Sequence, residues 1–290
     1  MPYICPEFFR AFFMINHNGV LVTSDFILAN NRSFLYGDGV FETLKIVDSK
    51  ILFFESHYFR LMSSMRILRM KIPMQFTMEF LEQEVLNLAK ESGLTSCRIR
   101  FTVYRNDGGY YTPKDSTISY VIQASPIAEK LYQSTNTSFE VELFKDFHVS
   151  NHLLSTLKTT SKTIHVLAAI FAQENGYHSC LMINESKNVT EGVSGNLFIR
   201  FGTTITTPPL SEGCLNGVMR KQVMQLIEKN DELELVEAPI SPFDLQKADE
   251  LFLTNVIQGI QSITKYRKKT YETTVGSLLI EQLNASIPVS

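Results

Sequence analysis

The chain is predicted to fold as a mixed α/β protein, α+β in arrangement, built as two domains. Three observations carry this expectation. Apolar residues recur at helical spacing in several separate segments, and between those segments lie alternating or short continuous apolar runs of strand length. At 290 residues the chain is long enough to bury two cores. A proline-bearing crossing, Ser125-Pro126-Ile127-Ala128-Glu129, divides it, which places a smaller N-terminal α/β domain at 1–125, a linker at 126–137 and a larger C-terminal domain at 138–290.

The elements follow in order. Phe8-Phe9 and Ala11 to Ile15 are interrupted by Arg10 and lack a basic leader, so they predict neither a signal segment nor a membrane span. Ile15 to Leu21 turns at Asn18-Gly19 and predicts a hairpin. The two glycines of Tyr36-Gly37-Asp38-Gly39 predict a sharp turn. Tyr58, Leu61, Met62, Met65 and Leu68 form one helical face that ends before Pro73, with Arg60 off that face, where a solvated arginine is the ordinary reading. A second helix from Thr77 to Glu91 buries Phe80, Leu81, Val85, Leu88 and Ala89 and stops at Gly93. Cys97 to Arg105 alternates as a strand, with Arg98 and Arg100 on one face and Arg105 at its end. Asn106-Asp107-Gly108-Gly109 then turns toward Tyr110-Tyr111, and Ser119 to Ala124 forms the next strand.

The second half opens with a strand from Ser138 to Leu143. Lys158-Thr159-Thr160-Ser161 leads a helix whose face is Ile164, Leu167, Ala168, Phe171 and Ala172, stopped by Asn175-Gly176. Lys158 is therefore expected at a helix entrance, where the charged ammonium is disfavoured, with Lys162 one turn along the helix. Cys180 to Ile183, Val189 to Gly192 and Asn196 to Ile199 predict paired strands. A glycine-led helix starts at Gly217 and carries Val223, Leu226 and Ile227, and a strand runs through Ala248 to Val256. The basic cluster from Lys265 to Lys269 is expected to be a solvated turn.

Composition narrows the function. With 44% hydrophobic and 20% charged residues and a net charge of −3, the chain has the make-up of an ordinary globular protein without the basic stripe that nucleic acid or an acidic membrane calls for. Cys5, Cys97, Cys180 and Cys214 are scattered, with no metal-ligand spacing, which predicts buried reduced thiols, no metal site and a cytoplasmic protein.

A lysine, a strand carboxylate and a glycine-led helix start together suit an aldehyde cofactor that carries phosphate. The amine is free to bond the aldehyde, a carboxylate keeps a ring nitrogen protonated, and backbone N–H groups at a helix start accept the anion. In order along the chain stand Phe34-Leu35-Tyr36-Gly37-Asp38-Gly39-Val40-Phe41-Glu42-Thr43, His57-Tyr58-Phe59-Arg60-Leu61, Leu157-Lys158-Thr159, Val189-Thr190-Glu191 with Asn196-Leu197-Phe198, and Asn216-Gly217-Val218-Met219-Arg220. From about Asn16 to about Ile263 the sequence resembles the class IV (fold type IV) pyridoxal-phosphate enzymes. This group holds branched-chain aminotransferases, D-amino-acid aminotransferases and aminodeoxychorismate lyases.

The resemblance implies a two-domain fold with pyridoxal 5'-phosphate in the interdomain cleft, and a homodimer acting on an amino acid and a 2-oxo acid as small-molecule substrates. It implies a catalytic Schiff-base lysine at Lys158 in preference to Lys162, and Glu191 at the ring nitrogen. For the phosphate it implies the guanidinium of Arg60, backbone N–H groups of the Gly217-Val218-Met219 helix start, and the turn at Asn255 and Val256, where this sequence lacks the threonine hydroxyl of many relatives. On the substrate side it implies Tyr36 and a carboxylate-binding arginine. Branched-chain enzymes resemble the chain at Arg100, and lyases at Arg105 with Tyr111. The expected activity is transamination. Release of pyruvate and 4-aminobenzoate from 4-amino-4-deoxychorismate is the alternative, and a non-catalytic cofactor-binding protein the second alternative.

Overall fold

The structure, a computed structural model, describes residues 14–23, 29–134 and 137–287; the phenylalanine-rich beginning and Cys5 lie outside them. Two compact units are present, and the chain passes from the first to the second after Lys130. Residues 158–161, which the sequence reading assigns to the second domain, group with the first unit.

The first unit runs β1 (Ile15–His17), β2 (Val20–Val22), α1 (Arg32–Tyr36), β3 (Gly39–Val47), β4 (Lys50–Ile51), α2 (Phe54–Ile67), α3 (Met78–Glu91), β5 (Cys97–Arg105) and β6 (Ile118–Pro126). Its six strands form an antiparallel sheet in the order β2-β1-β6-β5-β3-β4. Asn18 and Gly19, at φ 53° and 86°, make the tight link between β1 and β2. Alternation sorts the central strands into two faces. Ile99, Phe101 and Val103 of β5 and Val40, Leu44 and Ile46 of β3 point into a core with Leu61, Met62 and Met65 of α2 and Leu81, Val85 and Leu88 of α3. Burying a side chain such as Leu88 contributes about 1.5–3 kcal/mol. Thr77 caps α3 through the Phe80 N–H, and Gly93, at φ 70°, follows its end. On the opposite sheet face Thr43 stands beside Arg100 and Lys45 beside Arg98.

The second unit runs β7 (Glu140–Val149), α4 (Thr163–Glu174), β8 (Ser179–Asn184), β9 (Val189–Gly192), β10 (Asn196–Phe201), β11 (Thr204–Thr207), α5 (Val218–Glu228), β12 (Glu234–Glu237), α6 (Pro242–Lys247), β13 (Glu250–Asn255), β14 (Gly259–Ile263), β15 (Lys265–Tyr266), β16 (Lys269–Thr270) and α7 (Thr274–Ala285). Its ten-stranded sheet has a core on each face. Leu143, Leu181, Ile183, Leu197, Leu251 and Tyr266 pack with Leu245 of α6, while Phe144, Cys180 and Met182 pack with Ala168 and Ala172 of α4. In a regular strand Val189 and Glu191 share a face. A register irregularity pairs Val189 with Ile183 but Glu191 with Met182, and so turns Glu191 to the α4 side.

Several expectations are corrected. The helix after Lys158 starts only at Thr163, so Lys162 occupies the N-cap position and Lys158 lies ahead of the helix. Residues 158–160 are extended because their backbone groups pair with β3: Phe41 N–H donates to Lys158 C=O at 2.8 Å and Thr160 N–H to Gly39 C=O at 2.9 Å. The helix-entrance argument therefore does not apply to Lys158. Lys265 to Lys269 is a hairpin whose turn, Arg267-Lys268, is exposed as expected, while Lys265 pairs with Glu140 and Arg267 with Glu142. The turn at Gly37 closes the five-residue α1, whose N-cap Asn31 accepts from Phe34 N–H. Cys97, Cys180 and Cys214 are buried free thiols, pushed by burial to about 11, 11 and 12. No helix among the described residues is long and apolar enough to cross a membrane.

Candidate active site

In the first unit, Lys158 is placed by its backbone. The pairing with β3 carries its side chain to Phe41, whose ring centroid lies 4.6 Å from Nζ. The same ring carries the Arg100 guanidinium, with Cζ 3.8 Å from the centroid. Gly39, where this pairing begins, has no room for a side chain: a Cβ there would meet Ser33 Oγ at 2.9 Å and Val103 O at 3.0 Å. A lysine and an arginine thus converge on one aromatic ring, which stabilises cations through its quadrupole.

The two candidate carboxylate-binding arginines differ in what they hold. Arg105 is buried, giving Nε to Asp38 Oδ2 at 3.0 Å, Nη1 to Arg69 C=O at 3.2 Å and Nη2 to Leu68 C=O at 2.6 Å. Arg32, which the sequence reading did not single out, gives Nε to the same Asp38 oxygen at 2.9 Å and Nη1 to Tyr110 C=O at 2.6 Å. Tyr36 and Tyr111 face each other with ring centroids 5.7 Å apart, and with Arg32, Asp38 and Arg105 they line a cavity of about 300 Å³. Arg100 stands outside that group and pairs with no carboxylate among the described residues. Burial, with Arg98 alongside, lowers its pKa.

Arg60 is not solvated. Its Nε and Nη2 reach Glu42 Oε1 and Oε2 at 2.8 and 2.5 Å, and His57 Nδ1 meets Glu42 Oε2 at 2.6 Å. All three lie inside the first unit, on β3 and α2. Burial pushes the Glu42 carboxyl up, but Arg60 and His57 outweigh it and bring it down to about 2. Burial lowers His57, so it donates Nδ1–H to the carboxylate as a neutral ring.

In the second unit Glu191 is buried on the α4 side of the sheet. Its Oε2 accepts Leu215 N–H at 2.9 Å and its Oε1 lies 3.3 Å from His165 Nε2. Glu191 is paired across the sheet with Asn196, whose Nδ2 donates to Leu215 C=O at 2.7 Å. Gly217 opens α5 with no side-chain cap for the first-turn N–H groups, to which Val218 and Met219 belong. A Cβ at Gly217 would lie 2.0 Å from Asn196 Oδ1. Opposite Asn196 on β13, and therefore on the same sheet face, stands Thr254, whose buried hydroxyl has no hydrogen-bond partner among the described residues. Sequence reasoning missed Thr254, because it ends an apolar run whose pattern gives no hint of an unpaired hydroxyl. Asn255 turns its side chain onto its own loop, with Oδ1 accepting Ile257 and Gln258 N–H, and the Val256 C=O accepts from the Tyr132 hydroxyl.

Residues 39–266 match the Amino-transferase class IV family. Among curated relatives, a Methanocaldococcus jannaschii protein provisionally named a branched-chain-amino-acid aminotransferase is 30% identical over 79% of each chain. D-alanine aminotransferase from Bacillus licheniformis is 24% identical over 83% of each. Among solved structures, the branched-chain aminotransferase of Thermoproteus uzoniensis with norvaline has a TM-score of 0.84 at 23% identity, covering 93% of both chains. The 4-amino-4-deoxychorismate lyase from Pseudomonas aeruginosa has a TM-score of 0.79 at 25% identity, covering 91% of this chain and 96% of that one.

Glu42→Gln leaves two buried bases without their shared anion and is expected to cost about 3–5 kcal/mol at neutral pH. The Glu42 pKa of about 2 lies below its ordinary 4.5, so its stabilisation is present above pH 4.5 and is lost as pH falls toward 2. His57, also lowered, adds a loss that begins as pH falls through 6.5. Urea unfolding across this range checks both: the acid limb of the wild type should be steeper than that of the variant.

Proposed function

The chain belongs to the class IV aminotransferase family and is an enzyme, and on that premise we propose that it exchanges an amino group between an amino acid and a 2-oxo acid using pyridoxal 5'-phosphate. The family is pyridoxal-phosphate-dependent. When bound, this cofactor supplies an electron-poor ring that lets the substrate carbon give up its proton.

The residues present fit such a group. Thr254 offers a buried hydroxyl that lacks a partner, close in the sheet to Asn196 and the uncapped α5 start at Gly217. These are donors suited to a phosphate, and with them we assign Val218 and Met219 N–H; the Arg60 guanidinium of the first unit, already held by Glu42, is assigned to the phosphate on the resemblance alone. Asn255 and Val256 contribute backbone only, and the hydroxyl that Val256 lacks is available two residues earlier. Glu191 is assigned to the ring nitrogen, since a carboxylate already oriented by Leu215 N–H and flanked by His165 keeps a protonated nitrogen in place. A protein that only stored the cofactor has no use for that carboxylate. Lys158 Nζ is assigned the covalent attachment and the movement of the substrate proton.

The observation that carries transamination over the lyase reading is the shared Phe41 ring. Arg100 meets the same ring as Lys158 and has no carboxylate partner among the described residues, whereas Arg105 is already held by Asp38 and two carbonyls. Arg100 is therefore the guanidinium with capacity for a substrate carboxylate, and Tyr36, Tyr111 and Arg105 shape the neighbouring cavity. The reading carries with it the homodimer that the resemblance implies and the cytoplasmic location that the scattered cysteines predict.

A donor–acceptor screen with released pyruvate as a second readout tests the proposal. Amino transfer should require a 2-oxo acid, and Arg100→Ala should lower kcat/KM by about 10- to 100-fold, the worth of one hydrogen-bonded charge. Pyruvate released from aminodeoxychorismate without an acceptor would install the lyase reading instead. Reductive trapping should tag Lys158 and not Lys162. Thr254→Val should leave the cofactor-free protein as stable or up to about 1 kcal/mol more stable, yet weaken cofactor binding about tenfold by equilibrium dialysis.

A further inference from the structure

On the α6 side of the second sheet, away from the face that carries Glu191, a cavity of about 370 Å³ opens. A large bulge shapes it. Phe144 pairs with Met182 and Val149 with Asn184, so residues 145–148 of β7 are thrown out of a ladder that β8 crosses in two steps. Bulges of this kind re-aim side chains, and this one presents Lys145 and His148 to the cavity.

The lining is one-sided in charge. Lys145, Lys187, Arg267 and His148 contribute and no carboxylate does, in a chain of net charge −3. Lys187 Nζ lies 2.8 Å from His148 Nε2. Glu142, outside the lining, takes Nε of Arg267 at 3.2 Å, and no acid pairs with Lys145 among the described residues. The cavity also reaches Tyr266, which is wholly buried in the sheet, with its hydroxyl lacking a hydrogen-bond partner and Arg267 Cζ 5.0 Å from its ring centroid. Solvated lysines alone need no ligand. A buried donor without an acceptor is different, because leaving it unmade costs about 1–3 kcal/mol. Leu143 and Ile183 give the cavity apolar walls, and Phe243 stands 73% exposed at its edge. Apolar walls with a few convergent polar groups are the make-up of a small-molecule site.

We propose that this cavity binds a small organic anion, a carboxylate or a phosphate monoester, with its apolar body against Leu143, Ile183 and Phe243 and its charged end among Lys145, Lys187 and Arg267. None of these residues has a part in the chemistry assigned above, so the inference stands independently of it.

Calorimetric titration of the full chain, carrying bound pyridoxal phosphate so that a phosphate monoester is not drawn to the cofactor's place and dialysed free of excess so that the cofactor does not fill the cavity, tests the proposal. Phenyl phosphate and benzoate are the two anionic probes and benzyl alcohol the neutral one. Phenyl phosphate or benzoate should bind with 1:1 stoichiometry, and whichever binds more tightly identifies the anion class. Lys145→Glu and Lys187→Glu, made singly and checked by circular dichroism, should each weaken that probe by about tenfold or more while leaving basal amino transfer unchanged. Equal affinity in both folded variants, binding of benzyl alcohol as tight as that of the anions, or no binding by either anion would overturn it.

Discussion

Two backbone hydrogen bonds, from Phe41 to Lys158 and from Thr160 to Gly39, hold the lysine that the proposed chemistry needs. They add a short extended segment to β3, and a strand-like backbone has far less freedom than a loop of the same length. Position then follows from the sheet. Phe41 points away from the core that Val40 and Leu44 enter, and so presents its ring on the face shared by Arg100 and Lys158. Gly39 is needed there because neighbouring backbone and side-chain atoms already occupy the space of a Cβ. The glycines of the Tyr36-Gly37-Asp38-Gly39 run thus do separate jobs: Gly37, at φ 66°, ends α1, and Gly39 permits close approach.

Charge burial sets which of the first unit's arginines are available. Two carboxylates, Glu42 and Asp38, hold three of them: Arg60, Arg32 and Arg105. A buried guanidinium without an acceptor is costly, and each of these has a partner that meets that demand. Arg100 is stabilised instead by an aromatic face and, among the described residues, pairs with no acid. Cation–π support is weaker than a buried ion pair and leaves the donors of the guanidinium open to an incoming anion. This difference in partners, rather than distance along the chain, is what separates Arg100 from Arg105.

Most of the helices and strands were legible because burial imposes a period. The faces of α2, α3 and α4, and the alternation of β5, are packing patterns written directly into residue spacing. What escaped has no period. Helix α1 spans five residues, less than the window that reveals a helical face, although Asn31 as a cap and Gly37 as a stop were visible. Lys158 was read as a helix entrance because its pairing partner is more than a hundred residues away, and non-local pairing leaves no local trace. The roles of Arg32 and Thr254 depend on which atoms around them are already engaged, and a sequence does not state that. Lys158, Arg60, Glu191 and Gly217 were singled out through resemblance, while the structure supplied the reason that Arg60 is buried rather than solvated.

The second sheet shows how one strand serves two opposite faces. Strand β8 is irregular against both neighbours, at Met182 and Ile183 toward β9 and between Phe144 and Val149 toward β7. The first irregularity turns Glu191 toward α4, and the second opens the basic cavity on the α6 side. Such faults disrupt ladder bonds, so the strand needs another anchor at the same point. Asn184 provides it, fully buried, with Nδ2 donating to the Glu212 carbonyl and carboxylate and Oδ1 accepting Asn188 N–H. Asn188 Nδ2 donates to the same Glu212 oxygen, which ties the turn between β8 and β9 into the network. Because the side-chain amide replaces the lost ladder bonds, the two faces can depart from regular alternation without leaving the strand end unpaired. The buried Glu191 on one side of the sheet and the basic cavity on the other thus arise from two separate irregularities, in β9 and in β7, that meet at the same end of β8.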